Sequence, residues 1–440
     1  MGERPGRARP GRAAAVTEAP AASSLGSLTA EPARRVGRRW IALIALANLG
    51  LYLAYLGPIS VLLPNQVQAI AGASHKVAVL GWVTGIGAAV AMISNPVAGA
   101  LSDRTTGRFG RRRPWVVCGT LAGAAALVLL GGQHAIAGVI AGWCLAQAAL
   151  NAMQASLSAA VPDHVPVAQR GAVSAWIGLP QTLGVLLAVV LVTDVVTGNA
   201  GYALLAACLV ACVLPFALTT PDPPLSRAGR PPWRWRAFAR SFWLSPRRYP
   251  DFAWAWLTRF AVNLGNAMTL LYLLYFLRDR LHYSRLFPGH KAEDGLVVLI
   301  LLYLAGVVLT AVAGGILSDR TGRRKLPVTV AGLVMAVGAA LLALWPSWPA
   351  AMAAAAITGL GYGVYLSVDA ALVTQVLPTA AARAKDLGII NIANSGPQVL
   401  APAVAAPLVS QLGGYRSLYL SVAVITVLGS LFVQRIRSVP

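Results

Sequence analysis

Two ionisable side chains stand inside long apolar stretches of this sequence. Asp369 ends the run Gly361-Tyr-Gly-Val-Tyr-Leu-Ser-Val-Asp, and Arg259 lies eight residues after Asp251 in another apolar stretch. A charged group in apolar surroundings must be paired, be neutralised or face water. Asp369 is expected near the middle of a helix, where a carboxyl group can take up and release a proton, so it is a candidate for proton exchange. The alternative is a structural role, as an ion pair or as a hydrogen-bonded acid closer to the helix end. Arg259 can pair with an acid, bind an anion, or extend its guanidinium toward the surface.

A charged segment occurs twice, each time between two apolar stretches. The second copy follows the first by 216 residues, about half of the 440-residue chain, which indicates an internal duplication. In both copies, the carboxylates can be held by arginines or by helix N-termini, and the glycines allow close helix packing. The candidate residues are Gly99, Asp103, Arg104, Arg111, Arg112 and Arg113 in the first copy, and Gly315, Asp319, Arg320 and Arg323 in the second.

The composition indicates that membrane helices position these residues. Hydrophobic residues make up 57% of the chain and charged residues 11%, whereas soluble domains average about 25% charged residues. A helix that crosses a bilayer needs about 20 mainly apolar residues. The sequence therefore predicts an all-α membrane protein with twelve transmembrane helices, at residues 40–66, 77–101, 115–132, 135–161, 172–196, 202–219, 252–277, 296–317, 327–345, 350–377, 387–412 and 417–433.

The repeat extends into the apolar stretches and predicts two six-helix halves. Asn48-Leu-Gly matches Asn263-Leu-Gly at an offset of 215 residues, and Pro180-Gln matches Pro397-Gln at 217. We therefore expect, in order, a disordered N-terminal tail, a six-helix bundle, a basic linker with a helix on the membrane surface, a second six-helix bundle and a short tail, at residues 1–39, 40–219, 220–250, 251–434 and 435–440.

The positions of Lys and Arg predict the orientation. If the N-terminus is cytoplasmic, 29 of these residues fall on the cytoplasmic side and 6 on the opposite side. Because basic residues concentrate in cytoplasmic loops, both termini are predicted to be cytoplasmic, in the inner or plasma membrane. The net charge of +22 lies in short clusters between apolar stretches rather than on a soluble basic face, which argues against nucleic-acid binding.

The loop after the second predicted helix carries a resemblance to a known family. It reads G-x-x-x-D-R-x-x-G-R-x-G-R-R-R from Gly99 onward, in a chain of twelve helices and two halves. This pattern resembles the major facilitator superfamily over the whole chain from about Trp40. The stretch Ser102-Asp-Arg followed by Phe109-Gly-Arg-Arg-Arg-Pro is similar, more narrowly, to the sucrose and glycoside cation-symporter branch.

The resemblance implies roles for the residues named above. The two charged loops would gate the cytoplasmic face, although Arg111, Arg112 and Arg113 could also serve only as positive anchors. Amide and phenol side chains of the helices that enclose the family's cavity suit a hydroxyl-rich substrate, with hydrogen bonding between helices as the alternative. The cavity candidates are Asn48, Tyr52, Tyr55, Asn151, Gln154, Arg259, Asn263, Asn266, Asn391 and Asn394.

The expected function is secondary active transport without enzymatic activity or a cofactor. The sequence has no phosphate-binding GxxxxGK[ST] loop and no HExxH motif, so direct use of ATP and zinc hydrolase chemistry are not indicated. We expect a monomer in the lipid bilayer that couples a proton, or another cation, to symport of a sugar or glycoside. Proton-driven efflux of a drug-like compound or secondary metabolite is the first alternative, and a membrane sensor that transports nothing is the second.

Overall fold

The computed structural model describes residues 2, 35–196, 198–222, 224, 247–321, 324–376 and 383–437. Within these ranges the chain is helical apart from short connections and one isolated β-bridge between Gly107 and Gly110. Most of the predicted N-terminal tail, the predicted linker helix and Arg323 lie outside the described residues, as do residues 438–440.

The first half contains six helical segments long enough to cross a bilayer. Helix α1 (residues 38–71) comprises Arg38–Gly57, a π-helical turn at Pro58–Leu62 and the start of Leu63–Ser102. Gly72 has a positive φ of 73° and turns the chain into α2 (residues 73–102). The remaining helices are α3 (Arg113–Gly131), α4 (Ile136–His164), α5 (Val167–Val190, continued by Leu191–Val195) and α6 (Ala200–Thr219).

The second half repeats this arrangement. Helix α7 consists of Pro250–Leu271 and Leu273–Asp279, which meet at Tyr272 with a bend of 42°. A short helix, Tyr283–Leu286, precedes the next membrane-spanning segment. The others are α8 (Ala292–Thr321), α9 (Lys325–Leu344), α10 (Trp348–Val376), α11 (Arg383–Ser410) and α12 (Gly414–Phe432).

The prediction of an all-α membrane protein with twelve transmembrane helices in two halves is confirmed. By length and hydropathy alone, nine helical stretches of the described residues could cross a membrane, and the bent helix α7 adds a tenth. The longest of the nine, Arg38–Ser102, contains both α1 and α2, so counting these two helices separately gives eleven. Helix α11 brings the number to twelve: it has 28 residues but is interrupted by Pro397, Pro402 and Pro407.

The two halves meet through helix pairs that the repeat relates to each other. Helix α2 packs against α11, and α5 packs against α8, so each contact joins one element of either half. We call the end of the molecule where α2 meets α3 the terminus side, since α1 begins and α12 ends there, and the end where α1 meets α2 the far side. Between described residues, the hydrogen bonds and ion pairs that join the halves all lie on the far side.

Candidate functional site

The two ionisable residues of the apolar stretches form an ion pair with each other. Arg259 Nε of α7 lies 2.8 Å from Asp369 Oδ2 of α10, and the two side chains are 16% and 3% exposed. The sequence left two readings of Asp369 open, and the structure shows that this acid does have a partner. Asp369 lies seven residues before the end of α10, about 10 Å along the helix axis and closer to the terminus side than the expected mid-helix position.

The same face of α7 carries two further candidate residues beyond Arg259. Asn263 and Asn266 follow it at spacings of four and three residues, so the three side chains share one helix face. The Tyr362 hydroxyl lies 3.4 Å from Asn263 Oδ1, and the Tyr303 hydroxyl lies 3.4 Å from Asn266 Oδ1. The two tyrosine rings stack with their centroids 6.0 Å apart. An aromatic and amide surface therefore begins at the ion pair and extends toward the far side.

Helix α11 adds a polar side chain to this surface. Asn263 Nδ2 donates to Asn394 Oδ1 at 3.3 Å, and Asn394 is exposed although it lies within a long apolar helix. Gln398, one turn later on the same face of α11, lines a cavity between the halves, so the Asn394 amide lies on the face of α11 that is turned toward the first half. The side chain of Asn391, one helical turn earlier, lies outside the described residues.

The candidate residues of the first half bond mainly within that half. Tyr55 donates to Gln154 Oε1 at 3.4 Å, which joins α1 to α4, and Tyr52 is partly buried nearby. The Asn151 amide donates to Gln147 of its own helix at 2.9 Å and 3.0 Å. Asn48 is buried and donates to the Ile44 carbonyl oxygen at 2.8 Å. The amides of Asn48 and Asn151 thus find their hydrogen-bond partners inside the helix bundle. For these two residues the structure favours a structural role over the cavity role.

A cavity of about 110 Å³ lies between the halves, beneath the far side. Its wall includes Ser60 and Thr84 of the first half and Asn266, Gln398 and Pro402 of the second. Asn266 thus belongs both to the polar face of α7 and to this cavity. The candidate site is therefore a surface between the halves, with a buried ion pair at its terminus-side end.

The first charged loop is held together by one arginine. Arg112 is buried and lies 2.5 Å from Asp103 Oδ1, 3.0 Å from Asp163 Oδ2 and 2.5 Å from Ser102 Oγ. Arg111 reaches the other oxygen of Asp163 at 2.7 Å. Arg111 and Arg112 are therefore ion-pair partners rather than positive anchors alone. The loop joins the ends of α2 and α4 within the first half.

The start of the linker also binds this loop, which the sequence did not predict. Asp222 Oδ2 accepts from the backbone N–H groups of Arg112 and Arg113 at 2.6 Å and 2.7 Å, at the N-terminus of α3. A carboxylate there satisfies otherwise unpaired N–H groups and opposes the helix dipole. Gly110 has a φ of 92°, and a Cβ on it would overlap Asp222.

Gly99 has room for a methyl group in this structure. A Cβ on Gly99 would lie 3.8 Å from the Ala155 Cβ, an ordinary van der Waals distance, so close packing does not require glycine there. In the second loop, Gly315, Asp319 and Arg320 belong to the last turns of α8, but their side chains lie outside the described residues. The roles of this loop stay predictions.

The far side is closed by charged and polar residues that the sequence analysis did not select. Lys76 at the start of α2 lies 2.6 Å from Asp279 at the end of α7. Arg278, next to Asp279, pairs with Glu293 of α8 and donates to Asn65 of α1 at 2.5 Å. Lys76 and Asp279 are 203 residues apart, and both lie at helix ends where charged residues are common. Their pairing therefore leaves no local signal in the sequence.

Comparison with known proteins places the chain in a family. The model of the Major Facilitator Superfamily matches residues 44–299 and 289–440. The chain belongs to the Major Facilitator Superfamily. The prediction of this family is confirmed, and membership makes the chain a multi-pass membrane protein of the secondary-transporter kind.

Solved structures of other transporters share the fold. The nucleoside transporter NupG has a TM-score of 0.68 and 13% identity, over 90% of this chain and 99% of that one. A POT family transporter in complex with 5-aminolevulinic acid has a TM-score of 0.71 and 12% identity, over 94% of this chain and 98% of that one. At these identities the likeness concerns the fold alone.

One curated relative is similar in part of its sequence. The general alpha-glucoside permease of Schizosaccharomyces pombe (strain 972 / ATCC 24843) is 30% identical over 126 residues. The alignment covers 24% of this chain and 22% of the permease, so the chain spans about a fifth of that relative's length.

Proposed function

We propose that this protein is a proton-coupled symporter that imports a sugar or glycoside by alternating access. The observation that supports coupling to protons is the Arg259–Asp369 ion pair. This pair joins α7 to α10 at one end of the polar surface between the halves. Protonation of Asp369 removes its charge and releases Arg259 from its partner. Each proton bound or lost therefore changes how α7 is held against α10.

The charge balance supports a neutral substrate. Arg259 is already compensated by Asp369, and the remaining candidate groups at the site, Asn263, Asn266 and Asn394, are uncharged amides. Amides both donate and accept hydrogen bonds, as hydroxyl groups do. The Tyr303 and Tyr362 rings add the flat apolar surface on which a sugar ring can stack.

Two further observations favour sugars over other neutral solutes. The sequence between Ser102 and Pro114 resembles the sucrose and glycoside branch, and the curated relative is named as an alpha-glucoside permease. The efflux branch often carries Gly-Pro-x-x-Gly-Gly in its fifth helix, whereas this chain has Gly178-Leu-Pro-Gln-Thr-Leu-Gly184.

The same proposal includes the orientation of the protein in the membrane. With the basic loops inside, the terminus side is cytoplasmic and the far side faces outward. The contacts between the halves on the far side then correspond to an inward-facing conformation, from which substrate and proton leave toward the cytoplasm.

Reconstitution into proteoliposomes with an imposed pH gradient tests the proposal. The full chain is assayed with radiolabelled α- and β-glucosides, sucrose and hexoses while a pH-sensitive dye reports proton entry. Sugar-dependent proton entry is the expected result. Proton exchange driven by drug-like cations would instead indicate efflux, and the absence of flux with either panel would contradict a transport function.

A further inference from the structure

The closed far side is held asymmetrically by the two halves. In the second half, Asp279 accepts from the Tyr415 hydroxyl at 2.7 Å, and Arg278 is paired with Glu293. Both charged groups therefore have partners within their own half. Among the described residues of the first half, the partner of Lys76 is a neutral one, the Gln68 amide oxygen at 3.4 Å.

Lys76 makes its main contacts with the opposite half. Its side chain is 5% exposed, its ammonium lies 2.6 Å from Asp279 Oδ1, and it lies 4.6 Å from the centre of the Tyr275 ring. Asp279 and the Tyr275 ring thus form an acceptor site for one cation, with a carboxylate on one side and the negative face of an aromatic ring on the other. A buried ammonium requires such partners.

We infer that Lys76 is the residue that keeps the far side closed, by inserting its ammonium into the acceptor site formed by Asp279 and Tyr275 of the opposite half. Separation of the halves takes this ammonium away from its carboxylate, whereas Asp279 keeps Tyr415 and Arg278 keeps Glu293. On opening, Arg278 loses its hydrogen bonds to the neutral amides of Asn65 and Gln68 but keeps its ion pair. Lys76 is therefore the cation that loses its ion-pair partner. Neutralising Lys76 removes the interaction that favours the closed conformation, and the population shifts toward the conformation open on the far side.

The test measures how accessible the far-side cavity is, and it needs neither substrate nor a pH gradient. In a background that lacks the four native cysteines, Ser60→Cys places one thiol on the cavity between the halves. A membrane-impermeant maleimide is added from the far side in sealed vesicles. We expect Lys76→Gln to raise the labelling rate about tenfold, as a tenfold population shift requires. Because no transport is measured, failure of the symport proposal would leave this result unaffected.

Matched variants decide between a gating contact and general damage. Arg280→Gln removes a cation that is exposed, two residues from Arg278, and should leave labelling unchanged. The charge exchange Lys76→Asp with Asp279→Lys should return labelling toward the slow rate. A thiol from Ala126→Cys, in the buried core of the first half, must stay unreactive in the Lys76→Gln protein. Slow labelling with Lys76→Gln, or equal acceleration with Arg280→Gln, would overturn the inference.

Discussion

Arg259 and Asp369 face each other across α7 and α10 at 2.8 Å, and Asp369 is almost completely buried. The same helix α7 carries Asn263 and Asn266 along the polar surface and ends at Arg278 and Asp279 on the far side. One bent helix therefore connects the candidate coupling pair, the candidate substrate surface and the far-side closure. The bend at Tyr272 divides the part that holds the pair from the part that holds the gate.

The first prediction concerns coupling. For one proton per substrate, a pH difference of one unit supports about tenfold accumulation, because a tenfold ratio corresponds to the same free energy. Asp369→Asn cannot exchange a proton, so we expect accumulation to fall to the equilibrium level while substrate exchange between equal concentrations continues. Radiolabelled uptake with and without the gradient measures both. Asp294→Asn, an acid of the far side, is the matched control, and full accumulation by Asp369→Asn would remove Asp369 from the coupling role.

The second prediction concerns the stability of the pair. Removing one partner of a buried ion pair leaves an uncompensated charge and costs about 3–5 kcal/mol. Arg259→Gln alone should therefore lower the melting temperature of the detergent-solubilised protein. The double variant Arg259→Gln with Asp369→Asn should recover most of the loss, because no charge remains to be compensated. Equal melting temperatures for the single variant and the native protein would show that the pair contributes little.

The sequence predicted the elements better than the contacts between them. Hydropathy located the helices to within a few residues, since a span is a local property of about 20 residues. Hydropathy also singled out Asp369 and Arg259, because charge inside an apolar stretch is conspicuous. It could not pair Lys76 with Asp279 or Asp222 with the start of α3, since these contacts join residues 203 and about 110 positions apart in ordinary polar segments. The sequence likewise could not show that the space between Gly99 and Ala155 admits a Cβ.

The third prediction concerns the first charged loop. Gly110 adopts a left-handed conformation, which costs other residues about 1–2 kcal/mol, and its missing Cβ leaves room for Asp222. Gly110→Ala should therefore weaken the contact between the linker and α3. Hydrogen exchange of the Arg112 and Arg113 amides is expected to accelerate. In the same loop, Gly107 has open space around it, so Gly107→Ala is the control and should leave exchange unchanged.

The fourth prediction concerns the substrate surface. Asn394 is exposed on the face of α11 that is turned toward the first half and bonds to Asn263 at 3.3 Å. If its amide contacts a sugar hydroxyl, loss of about 1 kcal/mol of hydrogen bonding in Asn394→Leu should raise the KM several-fold. Proton-driven accumulation at saturating sugar should persist, because the ion pair is intact. Asn199→Leu, on an exposed far-side loop, provides the control, and an unchanged KM for Asn394→Leu would exclude that contact.

The last prediction tests how tightly the far side closes. A Cβ on Gly81 of α2 would lie 2.8 Å from the Ala406 Cβ and 3.3 Å from the Pro402 carbonyl oxygen of α11, closer than such atoms can approach without movement. One turn further along α2, a Cβ on Gly85 would lie 3.7 Å from Pro402 and fits. Gly81→Ala should therefore separate the halves on the far side, whereas Gly85→Ala, the same change on the same helix, should not. Spin labels at the exposed residues Asn199 and Ser347 report the separation. Identical distance distributions for the two variants would show that α2 and α11 do not set the closed conformation.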